Sequence, residues 1–370
     1  MKTTIFRCLI GIITSIIWTV TSAQAEIKIG IAGSLSGIAL PSGEQQEIGA
    51  QKAIDHLNDD GGLLGEEIIV TSVDDACDPE QAKAAARQLV SEGAIFVVGH
   101  ICSSASLAAS KIYEEAGIIM ISPASTNPKV TEEGGPNVFR VMGRDDQQGT
   151  IAGDYLADEY ANSKIAILHD GDIYGQGLAE FAKHQLNKRG VTEVIFDSYT
   201  ADQADYKSIV DKLVDAKVEV LYVGGYQGDI GIIIRQAKKK IPNLKLISGD
   251  SLVSEDFPVI AGEAAVGAYF TFGPDIRLKP EAATVTAAFR NEDDYEPIGF
   301  TLYSYGAVQA WAQAVQQVGS SNPDAVIDAL KSGSFDTVLG KIGFDEKGDV
   351  TGISPFVWYV FGEDNYMLAQ

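Results

Sequence analysis

Residues Gly99 to Ser110 (GHICSSASLAAS) bring together the groups that hold an anion. They follow an apolar run, Ala94 to Val98, and lead into a helical pattern at Ala108 to Glu115, so a strand-to-helix turn is expected at Gly99 to Ser104. Such a turn presents unpaired backbone N–H groups and the positive end of a helix dipole. The hydroxyls of Ser103, Ser104 and Ser106 add further donors, and the chemistry that fits is capture of a carboxylate or phosphate. An ordinary serine N-cap accounts for one of the three.

Gly249-Asp250-Ser251-Leu252 spells the nucleophile block of GDSL esterases. In those enzymes the block lies near the N-terminus and a histidine follows near the C-terminus, whereas no histidine follows Ser251 here. A serine without a base is a weak nucleophile, so a secreted hydrolase is the least favoured reading and Asp250 is more useful as a fixed negative charge. The four histidines, His56, His100, His169 and His184, form no HExxH or other metal-ligand spacing. Gly30 to Gly37 departs from the dinucleotide fingerprint, and the acidic series opened by Asp170 and Asp172 does not continue as an EF-hand. The expectation is a binding protein without metal, cofactor or catalytic residues.

The elements that would position these groups follow a leader. Lys2 and Arg7, an apolar run from Leu9 to Val20 and Ala23-Gln24-Ala25 have the order of a cleavable secretory signal over residues 1–25. Its loss removes Cys8, and the two remaining thiols, Cys77 and Cys102, should pair in an oxidising compartment. Each ends a strand pattern, so neighbouring parallel strands would bring them together. Without Lys2 and Arg7 the 28 basic residues fall to 26 against 51 acidic ones, a net charge of −25. That charge repels nucleic acid and anionic membranes.

The mature chain exceeds what one core usually serves. Strand patterns at Glu26 to Ala32, Glu67 to Val73, Ala94 to Val98, Ile118 to Ile121 and Val138 to Met142 alternate with helical ones, and a Gly-Ser loop, Gly33 to Gly43, precedes a helix at Glu44 to Asn58. The alternation restarts at Lys164 to Leu168 and runs to Gly267 to Phe272, followed by three helices and late strands at Ile342 to Phe344 and Phe356 to Phe361. This is an α/β chain with two doubly wound lobes and several short crossings between them. Ligands of such sheets sit beyond the strand carboxyl ends. One lobe offers hydroxyls and backbone donors there, the other tyrosines and Asp250, a pair of walls suited to a zwitterion.

Six blocks, VDDACDPEQA (from Val73), GHICSSAS (from Gly99), ISPASTNP (from Ile121), HDGDIYGQGLA (from His169), YVGGYQGD (from Tyr222) and LGKIGFDEKGD (from Leu339), resemble the periplasmic leucine/isoleucine/valine-binding proteins of bacterial ABC importers. The likeness is collinear over the whole mature chain. It implies a type I periplasmic-binding-protein fold, with lobes 26–144 plus 274–353 and 145–273 plus 354–370 joined by three crossings. It also implies that Ser103, Thr126 and the backbone of Ala124 take an amino acid carboxylate, Tyr226 and Asp250 take the ammonium, and Tyr174 closes from the second lobe. The Cys77–Cys102 bridge matches. Ser42 stands where relatives carry an aromatic residue and Asp250 where several carry glutamate; Ile101 and Phe300 would supply apolar wall. The function implied is a monomeric periplasmic solute-binding subunit that presents leucine, isoleucine or valine to an inner-membrane permease. A periplasmic sensory module for an amino acid or amide is the alternative.

Overall fold

The computed structural model describes residues 26–353, 356–363 and 365–369; the expected leader lies outside them. Five parallel strands, β1 (Glu26–Gly33), β2 (Glu67–Asp74), β3 (Phe96–Gly99), β4 (Ile119–Ser122) and β5 (Val138–Arg140), form the first sheet in the order β2-β1-β3-β4-β5. β3 to β5 are buried at every residue, as short apolar runs flanked by turns should be when helices cover both faces. The second sheet takes up β6 (Ile165–His169), β7 (Ile195–Ser198), β8 (Val220–Gly224), β9 (Lys245–Ser248) and β10 (Tyr269–Phe272). A small three-stranded sheet, β11 (Phe335–Thr337), β12 (Gly340–Phe344) and β13 (Val350–Thr351), belongs to neither. β14 (Val357–Phe361) and β15 (Tyr366–Leu368) then return antiparallel to the second sheet, completing the order β15-β14-β10-β9-β8-β6-β7.

The chain therefore passes between the sheets three times: after β5 into the helix Asp145–Tyr160, after β10 at Gly273, and between β13 and β14. Gly149 and Gly153 let the first of these helices lie directly on the helix Ile173–Lys188, since a Cβ on either would meet Phe181, Ala182 or Gln185 at 2.4 to 2.6 Å. Near the first and third crossings, fully buried Arg140 and largely buried Arg144 share Asp349, at 2.6 and 2.7 Å.

Three local expectations are corrected. The loop expected at Gly33 to Gly43 is already helical from Leu40, in the helix Leu40–Asp59; Pro41 lacks the N–H that a first turn cannot pair anyway. Ser42 thus belongs to a helical turn. The helix begins at Ser103, within the Gly99 to Ser104 turn as expected, and runs to Ala116, but its N-cap is Cys102, not a serine, with no side-chain cap bond. The strands that lead to the two cysteines are not neighbours, because β1 lies between β2 and β3. The Cys77–Cys102 disulfide nevertheless forms, with Cα atoms 5.4 Å apart, because both residues lie on turns beyond the strand ends.

The lobes touch directly through side-chain amides that donate to main-chain carbonyls across the cleft. Asn127 Nδ2 reaches Ile173 O at 2.8 Å, Gln227 Nε2 reaches Ile38 O at 3.1 Å, and Gln45 Nε2 approaches Val253 O at 3.4 Å.

Candidate functional site

All nine residues expected at the ligand site line one cavity between the lobes, with ≈ 290 Å³ of empty space. Among the described residues, Ser251 is the one further lining residue.

On the first-lobe side the hydroxyls tie loop to loop. Ser106 Oγ and Ser125 Oγ are 2.7 Å apart, Ser122 Oγ donates to His100 O at 2.7 Å, and Ser125 Oγ lies 2.9 Å from Ile101 O. Arg140 Nη1 donates to the carbonyls of Ser125 and Asn127 at 3.1 and 2.8 Å, which fixes the path of the loop carrying Ala124 and Thr126. His100 is fully buried between Asp75 and Tyr113, at 2.5 and 3.1 Å, a structural histidine behind the turn. Ser103 opens its helix beside this loop and accepts the Asn127 N–H at 3.2 Å. Its hydroxyl hydrogen is therefore free to point elsewhere. Of the three serines, Ser103 faces the cavity while Ser106 serves the loop joint.

The second-lobe side carries charge. Asp250 follows β9 and is buried. Its Oδ1 accepts from Tyr174 Oη at 2.8 Å and from Gln148 Nε2 at 2.9 Å, and neither partner is basic. Burial pushes its carboxyl up to about 6, although those two hydrogen bonds work against the rise. Asp145, bridged to Asp250 by the same Gln148 amide at 3.1 Å, is raised further by burial and by the Asp250 charge. Tyr174 occupies the first turn of the helix Ile173–Lys188, capped by Asp172, and its ring lies 5.3 Å from that of Tyr226. The Tyr226 hydroxyl is buried without a hydrogen-bond partner. Burial lifts both phenols well above their ordinary range, so both are neutral donors.

Ile101 and Phe300 form apolar wall, Phe300 braced edge-on against Phe272 with ring centroids 5.3 Å apart. Ser42 reaches the cavity from the first turn of its helix, whose approach is set by Gly43: a Cβ there would sit 1.8 Å from Ser34 O. Ser251 Oγ donates to Gly225 O at 2.7 Å and so serves the strand-end turn. Sequence reasoning missed Asp145 and Gln148. The run Asp145-Asp146-Gln147-Gln148 reads as the acidic first turn of a helix, and only its place directly after a strand that leaves the first sheet distinguishes it.

The sequence pattern of the family described as periplasmic binding protein matches residues 26–361. A protein of Brucella suis named Leu/Ile/Val-binding protein homolog 1 is 42% identical over 352 residues, 94% of this chain and 95% of that one. The leucine-binding protein LivK of Thermotoga maritima superposes with a TM-score of 0.85 at 24% identity, covering 93% of this chain and 98% of that one. The branched-chain amino acid transporter substrate-binding protein LivJ of Streptococcus pneumoniae, solved with isoleucine, gives 0.81 at 25% identity over 93% and 99%. An α/β pair of lobes closing on a cleft of this kind defines a type I periplasmic binding protein. The chain belongs to that family, within the group of leucine/isoleucine/valine-binding proteins.

Proposed function

We propose that the chain is the solute-binding component of an ABC importer and takes a free branched-chain amino acid, leucine, isoleucine or valine, between its lobes. The observation that carries this reading is Asp250, a buried carboxylate that faces the cavity with no basic partner, opposite a wall of hydroxyls. A buried charge without a counter-charge is costly, and a ligand ammonium supplies one. Ser103, Thr126 and the Ala124 backbone take the ligand carboxylate, Tyr226 and Asp250 the ammonium, and Tyr174 closes over it from the second lobe. Ile101, Phe300 and Ser42 surround the side chain.

Binding needs no catalysis and the chain is not an enzyme. The ligand contacts both lobes, 26–144 plus 274–353 and 145–273 plus 354–370, and so favours the closed form over the open one. An inner-membrane permease recognises that closed form transiently. The working protein is a periplasmic monomer freed of residues 1–25. Among the described residues no helix is long and apolar enough to cross a membrane.

The test is a thermal-shift panel of all amino acids on protein stripped by unfolding and refolding. Saturation at 1,000 times Kd stabilises by about 4 kcal/mol, so leucine, isoleucine and valine should raise Tm clearly. Absence of a shift with all three overturns the branched-chain reading.

A further inference from the structure

We propose that Gln148 is the positioning residue of the site, holding Asp250 against the ligand ammonium and tying it to the first two crossings between the lobes. The inference rests on the assignment of the ammonium to Asp250. Gln148 is fully buried and lies behind the cavity, outside its lining. Its carboxamide grips Asp250 at two points: Nε2 donates to the side-chain Oδ1 at 2.9 Å, and Oε1 accepts the Asp250 backbone N–H at 3.0 Å. Oε1 also accepts from Thr271 Oγ1 at 2.5 Å, and Nε2 reaches Asp145 Oδ1 at 3.1 Å.

These four bonds fix which end of the amide is which. Oε1 receives an obligate donor, the Asp250 main-chain N–H, so Nε2 must face the carboxylates and the Thr271 hydroxyl donates to Oε1. They also join three separate pieces of chain. Gln148 and Asp145 lie in the first turn of the helix that follows the first crossing; Thr271 is on β10, two residues before Gly273 at the second. Asp145 N in turn donates to Thr126 O on the opposite wall at 2.9 Å. A pull on Asp250 by a bound ammonium is thereby delivered to the segments that must turn when the lobes close.

The other titratable groups around Asp250 are Asp145 on the helix Asp145–Tyr160, Tyr174 on the helix Ile173–Lys188, Tyr222 on β8 and Tyr226 at the start of the helix Gln227–Lys238. None is basic, so hydrogen bonds are the means by which the protein keeps Asp250 ionised, and Gln148 donates one of the two to its carboxylate.

Leucine is the probe, and its Kd is measured by calorimetry across pH 4.5 to 8 for the wild type, Gln148→Met, Thr271→Val and Asp250→Asn. Methionine keeps the length and loses the bonds. Gln148→Met should weaken binding roughly 10- to 100-fold, the worth of a hydrogen bond to a charged group. It should also move the acid limb of the affinity profile upward by about one to two pH units from a wild-type midpoint near 6. A damaged scaffold would lower affinity without moving that limb, and this outcome overturns the proposal, as does an unchanged profile. Thr271→Val, which frees one side of Oε1, should move the limb in the same direction by less; if Gln148→Met does not fold, a stationary limb in Thr271→Val is decisive against it. Asp250→Asn separates the two levels. Retained leucine binding there removes the ammonium assignment itself, whereas lost binding there with a wild-type profile in Gln148→Met removes only the role of Gln148.

Discussion

On the first-lobe wall, polar groups largely satisfy one another: Ser106 meets Ser125, Ser122 meets His100, and Arg140 occupies the carbonyls of the loop that carries Thr126. On the second-lobe wall, Asp250 and Asp145 are bridged by a single neutral amide, and the Tyr226 hydroxyl has no partner. On the first wall the charged groups are paired, Arg140 with Asp349 and Asp75 with His100, although Thr126 Oγ1 is buried without a partner as the Tyr226 hydroxyl is. The second stores an unpaired negative charge in a dry place, which makes its favourable state conditional on a cation. On the proposed reading, the charge that selects for an ammonium sits on the second lobe.

Four experiments break or sharpen that contrast. The largest effect is expected for Asp250→Asn, which removes the stored charge and should weaken leucine more than about 100-fold in calorimetry, given that unpairing a buried ion costs about 3–5 kcal/mol. An unchanged Kd would erase the difference between the walls. Next comes pH. Asp250 must lose its proton to face an ammonium, so leucine affinity should fall about tenfold per unit below pH 6. The ligand-free protein should respond in the opposite sense. The folded Asp250 carboxyl titrates near 6 and Asp170 near 8, both above the unfolded value of 3.8, so these groups stabilise the fold fully below pH 3.8 and that contribution is lost as pH rises from 3.8 to about 6 for Asp250 and to about 8 for Asp170. Urea midpoints of the empty protein at pH 5.5 and 8 check the sign.

Ser103→Ala tests the settled wall. It should cost roughly tenfold in leucine affinity, one hydrogen bond to a carboxylate, without altering the acid limb. A shifted limb would mean that the walls are electrically coupled. The smallest effect is expected for Gly177→Ala, whose Cβ would sit 2.4 Å from Asn127 Nδ2 and break a bond made only across the cleft. About threefold weaker binding of leucine, isoleucine and valine alike, with an unaltered Tm for the empty protein, is the expected signature. Unequal losses would place Gly177 in side-chain recognition instead.

The sequence was informative where function sits at strand ends. Alternation of elements placed the strand-end segments that carry Ser103, Thr126, Tyr174, Tyr226 and Asp250 on one side of two sheets, and the family resemblance singled out those five within them. Local chemistry misled where tertiary contacts decide. Ser103 and Ser106 look like caps, yet their hydroxyls turn to Asn127 and Ser125, and the cap position passes to Cys102. Gln148 was invisible for a different reason: its partners Asp250 and Thr271 are 102 and 123 residues away, and no local pattern records that distance.

The amides that join the lobes at Ile173, Ile38 and Val253 all donate to main-chain carbonyls. A carbonyl is present whatever side chain the residue carries. Substitutions at those three receiving positions can accumulate without loosening the clasp, while the donors Asn127, Gln227 and Gln45 have no such freedom. The tolerance of the cleft rim to sequence drift should therefore be lopsided, with each donor held fixed opposite a partner free to vary.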